Sequence, residues 1–127
     1  MKTLKEKPEY NLQAQPDPER FDFFPAPPLT TTVTLTCSEV TSLCPITHQP
    51  DYATVEIVYC PRHLCLETKS LKEYLFGYRN FGNFCEQMAT QIIQDLYPLL
   101  NPIMLRVDVT FTSRGGITIH SRAYKEE

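Results

Sequence analysis

Asn83-Phe84-Cys85-Glu86-Gln87-Met88-Ala89-Thr90-Gln91-Ile92-Ile93-Gln94-Asp95-Leu96 is the stretch on which the reading of the fold turns. Cys85, Met88, Ala89, Ile92, Ile93 and Leu96 recur at spacings of three and four, so in a helix they form one wide apolar stripe that another layer must cover. Asn83 is a good N-cap, Glu86 three positions later completes a capping box, and the helix is expected to end before Pro98. Downstream, Ile103 to Thr112 and Ile117 to Arg122 read as two strands joined through Ser113, Arg114, Gly115 and Gly116, a hairpin-like turn. Upstream, Ser70 to about Tyr78 has helical spacing, with Leu71, Tyr74, Leu75 and Tyr78 on one face. Thr30 to Cys37 and Tyr52 to Tyr59 are rich in Thr and Val and read as strands. Two strands, two helices and two strands in that order imply an α+β domain, an antiparallel sheet with both helices on one face.

The 127 residues suit one domain, assigned to 30–127, with a core too small to enclose a large pocket by itself. A site built between subunits fits that size. Residues 1–29 carry more than half of the eleven prolines among scattered charges and read as an extended arm. Its aromatic cluster of Phe21, Phe23 and Phe24 is expected to dock on the body or on a neighbouring subunit. A net charge of -3 argues against direct nucleic-acid binding, because phosphate contacts need a basic stripe. Without a leader segment or a membrane-length apolar run, a cytoplasmic location is expected, and the five cysteines are expected to be mostly free thiols.

Chemistry concentrates at Cys44-Pro45-Ile46-Thr47-His48-Gln49-Pro50-Asp51. A thiol leaving a rigid turn, with a carboxylate seven residues on, places a nucleophile and a proton donor on opposite lips of one loop. A second candidate is Glu67-Thr68-Lys69-Ser70-Leu71-Lys72, where ammonium groups meet the free backbone donors of a helix N-terminus, a favourable place for a phosphate. The alternative is a solvated first turn capped by a hydroxyl. Glu86 suits two adjacent donors on a guanine-like edge, although spacing alone favours the cap. Cys60, His63 and Cys65 lack zinc-site spacing, so no metal is expected. Glycine-rich nucleotide fingerprints, HExxH and an ordered Ser-His-Asp set are also missing.

Four blocks in order, from about Thr34 to Ile119, resemble the nitrile reductase family of queuosine biosynthesis, the NADPH-dependent 7-cyano-7-deazaguanine reductases in their short single-domain form. These are Cys-Pro-x-Thr-x-x-Pro-Asp at Cys44 through Asp51, Glu-x-Lys-Ser-x-Lys at Glu67 through Lys72, Tyr-Arg-Asn-x-Gly-x-Phe-x-Glu at Tyr78 through Glu86, and Arg-Gly-Gly-Ile at Arg114 through Ile117.

The resemblance implies an oxidoreductase that takes the nitrile of 7-cyano-7-deazaguanine (preQ0) to the aminomethyl product (preQ1) with two NADPH, in tRNA modification. Cys44 would form a covalent thioimide and Asp51 would protonate the nitrile nitrogen. Glu67 and Glu86, with Leu66, Thr68 and Cys85, would hold the deazaguanine, and Lys69, Ser70, Lys72 and Arg114 the NADPH phosphates. Cys85 stands where the family usually has histidine. It either faces the base with a thiol made acidic by the helix N-terminus or packs in the apolar stripe. The fold implied is the tunnelling fold (T-fold), in which the sheets of a homo-oligomer join into a barrel with sites at subunit boundaries. Two other readings are an amidinotransferase acting on preQ0 in tRNA and a catalytically silent T-fold binding module.

Overall fold

Ala53, Val55, Ile57 and Tyr59 alternate with Thr54, Glu56 and Val58, and Leu105, Val107, Val109 and Phe111 alternate with Arg106, Asp108 and Thr110. A period of two puts each apolar set on one face, where all eight side chains are buried. In the computed structural model, which describes residues 15–127, these positions lie on the two central strands of a four-stranded antiparallel sheet. Its strands are β2 (Val33–Leu43), β3 (Pro50–Cys60), β5 (Met104–Arg114) and β6 (Ile117–Glu126), in the order β2-β3-β5-β6. Helix α2 (Cys85–Leu100) lays its stripe over β5 and β6, and α1 (Thr68–Phe76) adds Leu71, Tyr74 and Leu75 to the same core. Fully burying a Leu, Ile, Val or Met stabilises by about 1.5–3 kcal/mol, so Met88, Ile92 and Leu96, none of them exposed at all, are what fixes α2 to the sheet.

The opposite face of the sheet is polar. Asp108 bonds Arg122 (3.0 Å) and His120 (2.9 Å), and Arg106 reaches Glu56 at 3.1 Å. Burial pushes the Asp108 carboxyl up, but its bonds to Arg122 and His120 outweigh this and hold it below the usual value.

Two further strands, β1 (Phe23–Pro25) and β4 (Leu64–Leu66), pair antiparallel. Three residues each are too few to show a period, which is why the sequence did not reveal them. They tie residues 21–25 to the body, where Phe21 is buried and stacks on Tyr74 with ring centroids 4.3 Å apart. Gly77 makes room for this segment, since a Cβ there would stand 2.8 Å from the Pro16 Cα. The rest of the expected arm, residues 1–14, lies outside the described residues.

Several boundaries differ from expectation: β2 runs past Cys37 to Leu43 and β6 past Arg122 to Glu126, α1 starts and ends earlier, at Thr68–Phe76, and both ends of α2 move. Helix α2 runs through Pro98 to Leu100, because the bond that proline cannot make would go to the carbonyl of solvent-exposed Gln94, while buried Leu100 rewards another half-turn. Asn101, left-handed at φ 50°, then closes the helix by donating to the Tyr97 carbonyl (2.9 Å). At the other end the N-cap is Phe84, and the Gln87 side chain, not Glu86, accepts from its N–H (2.9 Å). Asn83 is withdrawn into the interior because its N–H pairs with the Leu43 carbonyl (3.1 Å), while Leu43 N–H bonds Phe81 (3.1 Å). Among the described residues no helix is long and apolar enough to cross a membrane.

Candidate active site

Cys44 directly follows β2, and Asp51 is the second residue of β3. The intervening loop closes on itself: Cys44 N–H donates to the Gln49 carbonyl (2.8 Å), and His48 N–H donates to the Cys44 carbonyl (3.0 Å) with His48 left-handed at φ 60°. The Thr47 hydroxyl, then the backbone N–H groups of Thr47 and Ile46, draw the Cys44 thiol below its ordinary value of 9.0. Thr47 was not singled out in the sequence; the available signal was a hydroxyl three residues after a cysteine in a tight turn.

Asp51 is buried at 5 % exposure and pairs in register with fully buried Ser42 on β2. Its Oδ1 accepts from Arg114 Nη1 at 2.7 Å, and Arg114 Nη2 donates to Gln49 Oε1, also at 2.7 Å. Arg114 ends β5 beyond an irregularity in the β5–β6 register, just before Gly115 (φ 59°) and Gly116 (φ 79°), whose left-handed backbone makes the tight reversal. Cys85 and Glu86 approach from the first turn of α2. Exposed Glu86 is released from the expected capping role by Gln87, and among the described residues its carboxylate makes no salt bridge, so it can accept donors from a ligand.

Cys85 departs from the acidic-thiol expectation. Its Sγ–H donates to the Val109 carbonyl (3.3 Å), and burial, followed by the charge of Glu86, pushes the thiol up to about 11. Desolvation beneath the sheet outweighs the helix N-terminus. Asn83, expected as a cap, lies beside Cys85 with its Nδ2 3.5 Å from Ser42 Oγ and its Oδ1 buried with no partner among the described residues.

Cys44, Asp51, Asn83, Cys85, Glu86 and Arg114 line one cleft of about 280 Å³. Thr68, Lys69 and Lys72 line a different, larger groove of about 1170 Å³ between α1 and the edge strand β2. Arg114 is therefore apart from the lysines with which the resemblance grouped it. The backbone donors expected to receive a phosphate at the start of α1 are occupied, since the Glu67 carboxylate accepts from Lys69 N–H and from Ser70 N–H (3.2 Å). Ser70 is buried, its hydroxyl accepting from Asp22 N–H (2.9 Å) and donating to the Glu67 carbonyl (2.7 Å). Leu66 N–H donates to the Tyr59 hydroxyl (2.9 Å), which burial pushes up to about 12 and keeps neutral. No disulfide links the five cysteines, and among the described residues no three His, Cys, Asp or Glu side chains are grouped to hold a metal.

The two thiols are expected to react differently. Iodoacetamide should alkylate Cys44 with a midpoint below 9.0, Thr47→Val should move that midpoint upward, and Cys85 should stay unmodified in the folded protein at pH 8. Mass spectrometry of the two peptides across pH checks this, and equal labelling of both would overturn the donor account.

A family profile described as "QueF-like protein" matches residues 50–127, more than half of the chain. A Streptococcus thermophilus protein named "NADPH-dependent 7-cyano-7-deazaguanine reductase" is 58% identical over 83 residues, covering 65% of this chain and 51% of the relative. The chain thus spans about half the length of that relative. A protein of the same name from Helicobacter acinonychis is 49% identical over 114 residues, covering 87% of this chain and 72% of the relative. Among solved structures, the apo archaeosine synthase QueF-Like superposes with a TM-score of 0.70 at 24% identity, covering 75% of this chain and 93% of that one, a likeness of fold. With a matching profile, and with a relative 49% identical over most of both chains, this chain belongs to the QueF-like family.

Proposed function

We propose that this chain reduces the nitrile of 7-cyano-7-deazaguanine to the aminomethyl group with NADPH, as the names of its relatives state for them. The observation that carries the reading is the cleft in which an activated Cys44 thiol and the buried Asp51 carboxyl stand on either side of one loop, with the exposed Glu86 carboxylate on the same wall.

Cys44 Sγ adds to the nitrile carbon while Asp51 delivers a proton to the nitrile nitrogen, giving a thioimide that accepts hydride far more readily than the nitrile did. Glu86 accepts paired N–H donors from the guanine-like edge and fixes the ring, so that the cyano group reaches Cys44. NADPH, when bound, supplies hydride twice to the former nitrile carbon. Lys69 and Lys72 suit its phosphates: both are exposed beside the large groove, and among the described residues neither ammonium group takes part in a salt bridge.

The division of the candidates between two walls supports a site completed by a second copy, whose Leu66–Thr68 segment and lysines would face this copy's cleft. Strands β2 and β6, 11 and 10 residues long, are the edges of the sheet and offer the ladders through which copies could join into a barrel.

The test is NADPH oxidation with the free nitrile base. Turnover should favour NADPH over NADH, and Lys69→Ala or Lys72→Ala should raise the KM for NADPH several-fold more than that for the nitrile, with the preference weakening at high salt. Equal use of both cofactors at low salt would contradict the lysine placement. Nitrile consumption without NADPH oxidation, with ammonia incorporated, would favour amidine formation instead.

A further inference from the structure

We infer that Arg114 is a removable lock on Asp51, holding the acid in a resting state until the phosphate of a dinucleotide draws the guanidinium away. The inference rests on the proposed nitrile chemistry and adds to it the control of its first step.

Two roles compete for Asp51. In the proposed addition it must give a proton to the nitrile nitrogen, yet its Oδ1 forms a 2.7 Å ion pair with Arg114 Nη1. While that pair stands, Asp51 offers its Oδ1 to the guanidinium rather than to the nitrile nitrogen. Its charge also works against ionisation of Cys44. The ion pair is built to be broken, because Asp51 is 6 % exposed at its side chain whereas Arg114 is 41 % exposed. Arg114 sits at the end of a strand, beside a register irregularity and two left-handed glycines, and is not part of the hydrophobic core. Its second anchor among the described residues is Gln49, exposed in the Cys44 loop. A guanidinium fork that fits a carboxylate fits a phosphate equally well, so an anion at the cleft mouth competes directly with Asp51.

With Arg114 withdrawn, Asp51 accepts the proton of the Cys44 thiol. The Sγ–C bond then forms as one π bond of the nitrile breaks, and the same proton passes from Asp51 to the nitrile nitrogen. The step is redox-neutral and consumes no other reactant.

Intact-protein mass spectrometry of adduct formation on the full chain, with the nitrile base alone or with NADP+, tests this. NADP+ carries the phosphates but has no hydride to give. NADP+ should accelerate capture in the unaltered protein by roughly tenfold, the scale of losing one charge-assisted hydrogen bond. Arg114→Ala should capture the base at that faster rate without NADP+ and should not respond to it, while its KM for NADPH rises. Gln49→Ala should shift capture in the same direction by less. Capture by Arg114→Ala at or below the rate of the unaltered protein, no response of the unaltered protein to NADP+, or slower capture by Gln49→Ala would overturn the lock. No adduct in any variant under any condition would instead overturn the nucleophile assignment itself.

Discussion

The intact protein is expected to gain the mass of the nitrile base, and replacing Cys44 by alanine to abolish that gain and to lower turnover by about 10⁴-fold or more, the scale seen when a covalent nucleophile is removed. Nothing else in the cleft can substitute. Cys85, the other thiol on its wall, is turned to the Val109 carbonyl and held at about 11, so it supplies almost no thiolate at neutral pH. The fold should be untouched, because Cys44 lies in the loop after β2 and outside the buried core. Binding of the base, read by calorimetry, should persist through Glu86. An adduct that survives Cys44→Ala would place the nucleophile elsewhere.

Asp51→Asn is expected to slow turnover by roughly 100-fold, the usual contribution of a positioned general acid, with KM for the nitrile changed by no more than a few-fold. The two side chains have nearly the same shape. The asparagine oxygen can still accept from Arg114, so the variant removes the transferable proton while leaving the cleft in place. A much larger rise in KM than fall in kcat would assign Asp51 to binding instead, and near-normal turnover would end its role as the acid.

Much of this architecture was legible before the structure. The stripe from Cys85 to Leu96, the two alternating central strands and the Gly115–Gly116 turn specify an α+β layer because burial periodicity is local and survives folding. Cys44 and Asp51 were also readable, since only a short loop separates them. What failed was the capping of both helices. Asn83 and Glu86 form a proper capping box by spacing, yet the pairing of Asn83 with Leu43 across the chain moved the cap by one residue. At α1 the expected hydroxyl cap is replaced by the Glu67 carboxylate, which accepts from the Lys69 and Ser70 N–H groups.

By itself, the sequence determined the order and type of the main elements and the thiol–carboxyl loop, because each depends on residues close along the chain. Tertiary structure alone decided three things: that Arg114, 63 positions from Asp51, lies against it and apart from Lys69 and Lys72; that burial raises the Cys85 thiol above its ordinary value; and that Glu86 does not cap α2. Each depends on which strand edge or helix end approaches another across the core. Desolvation and ion pairing arise only from that approach, and no local spacing encodes it.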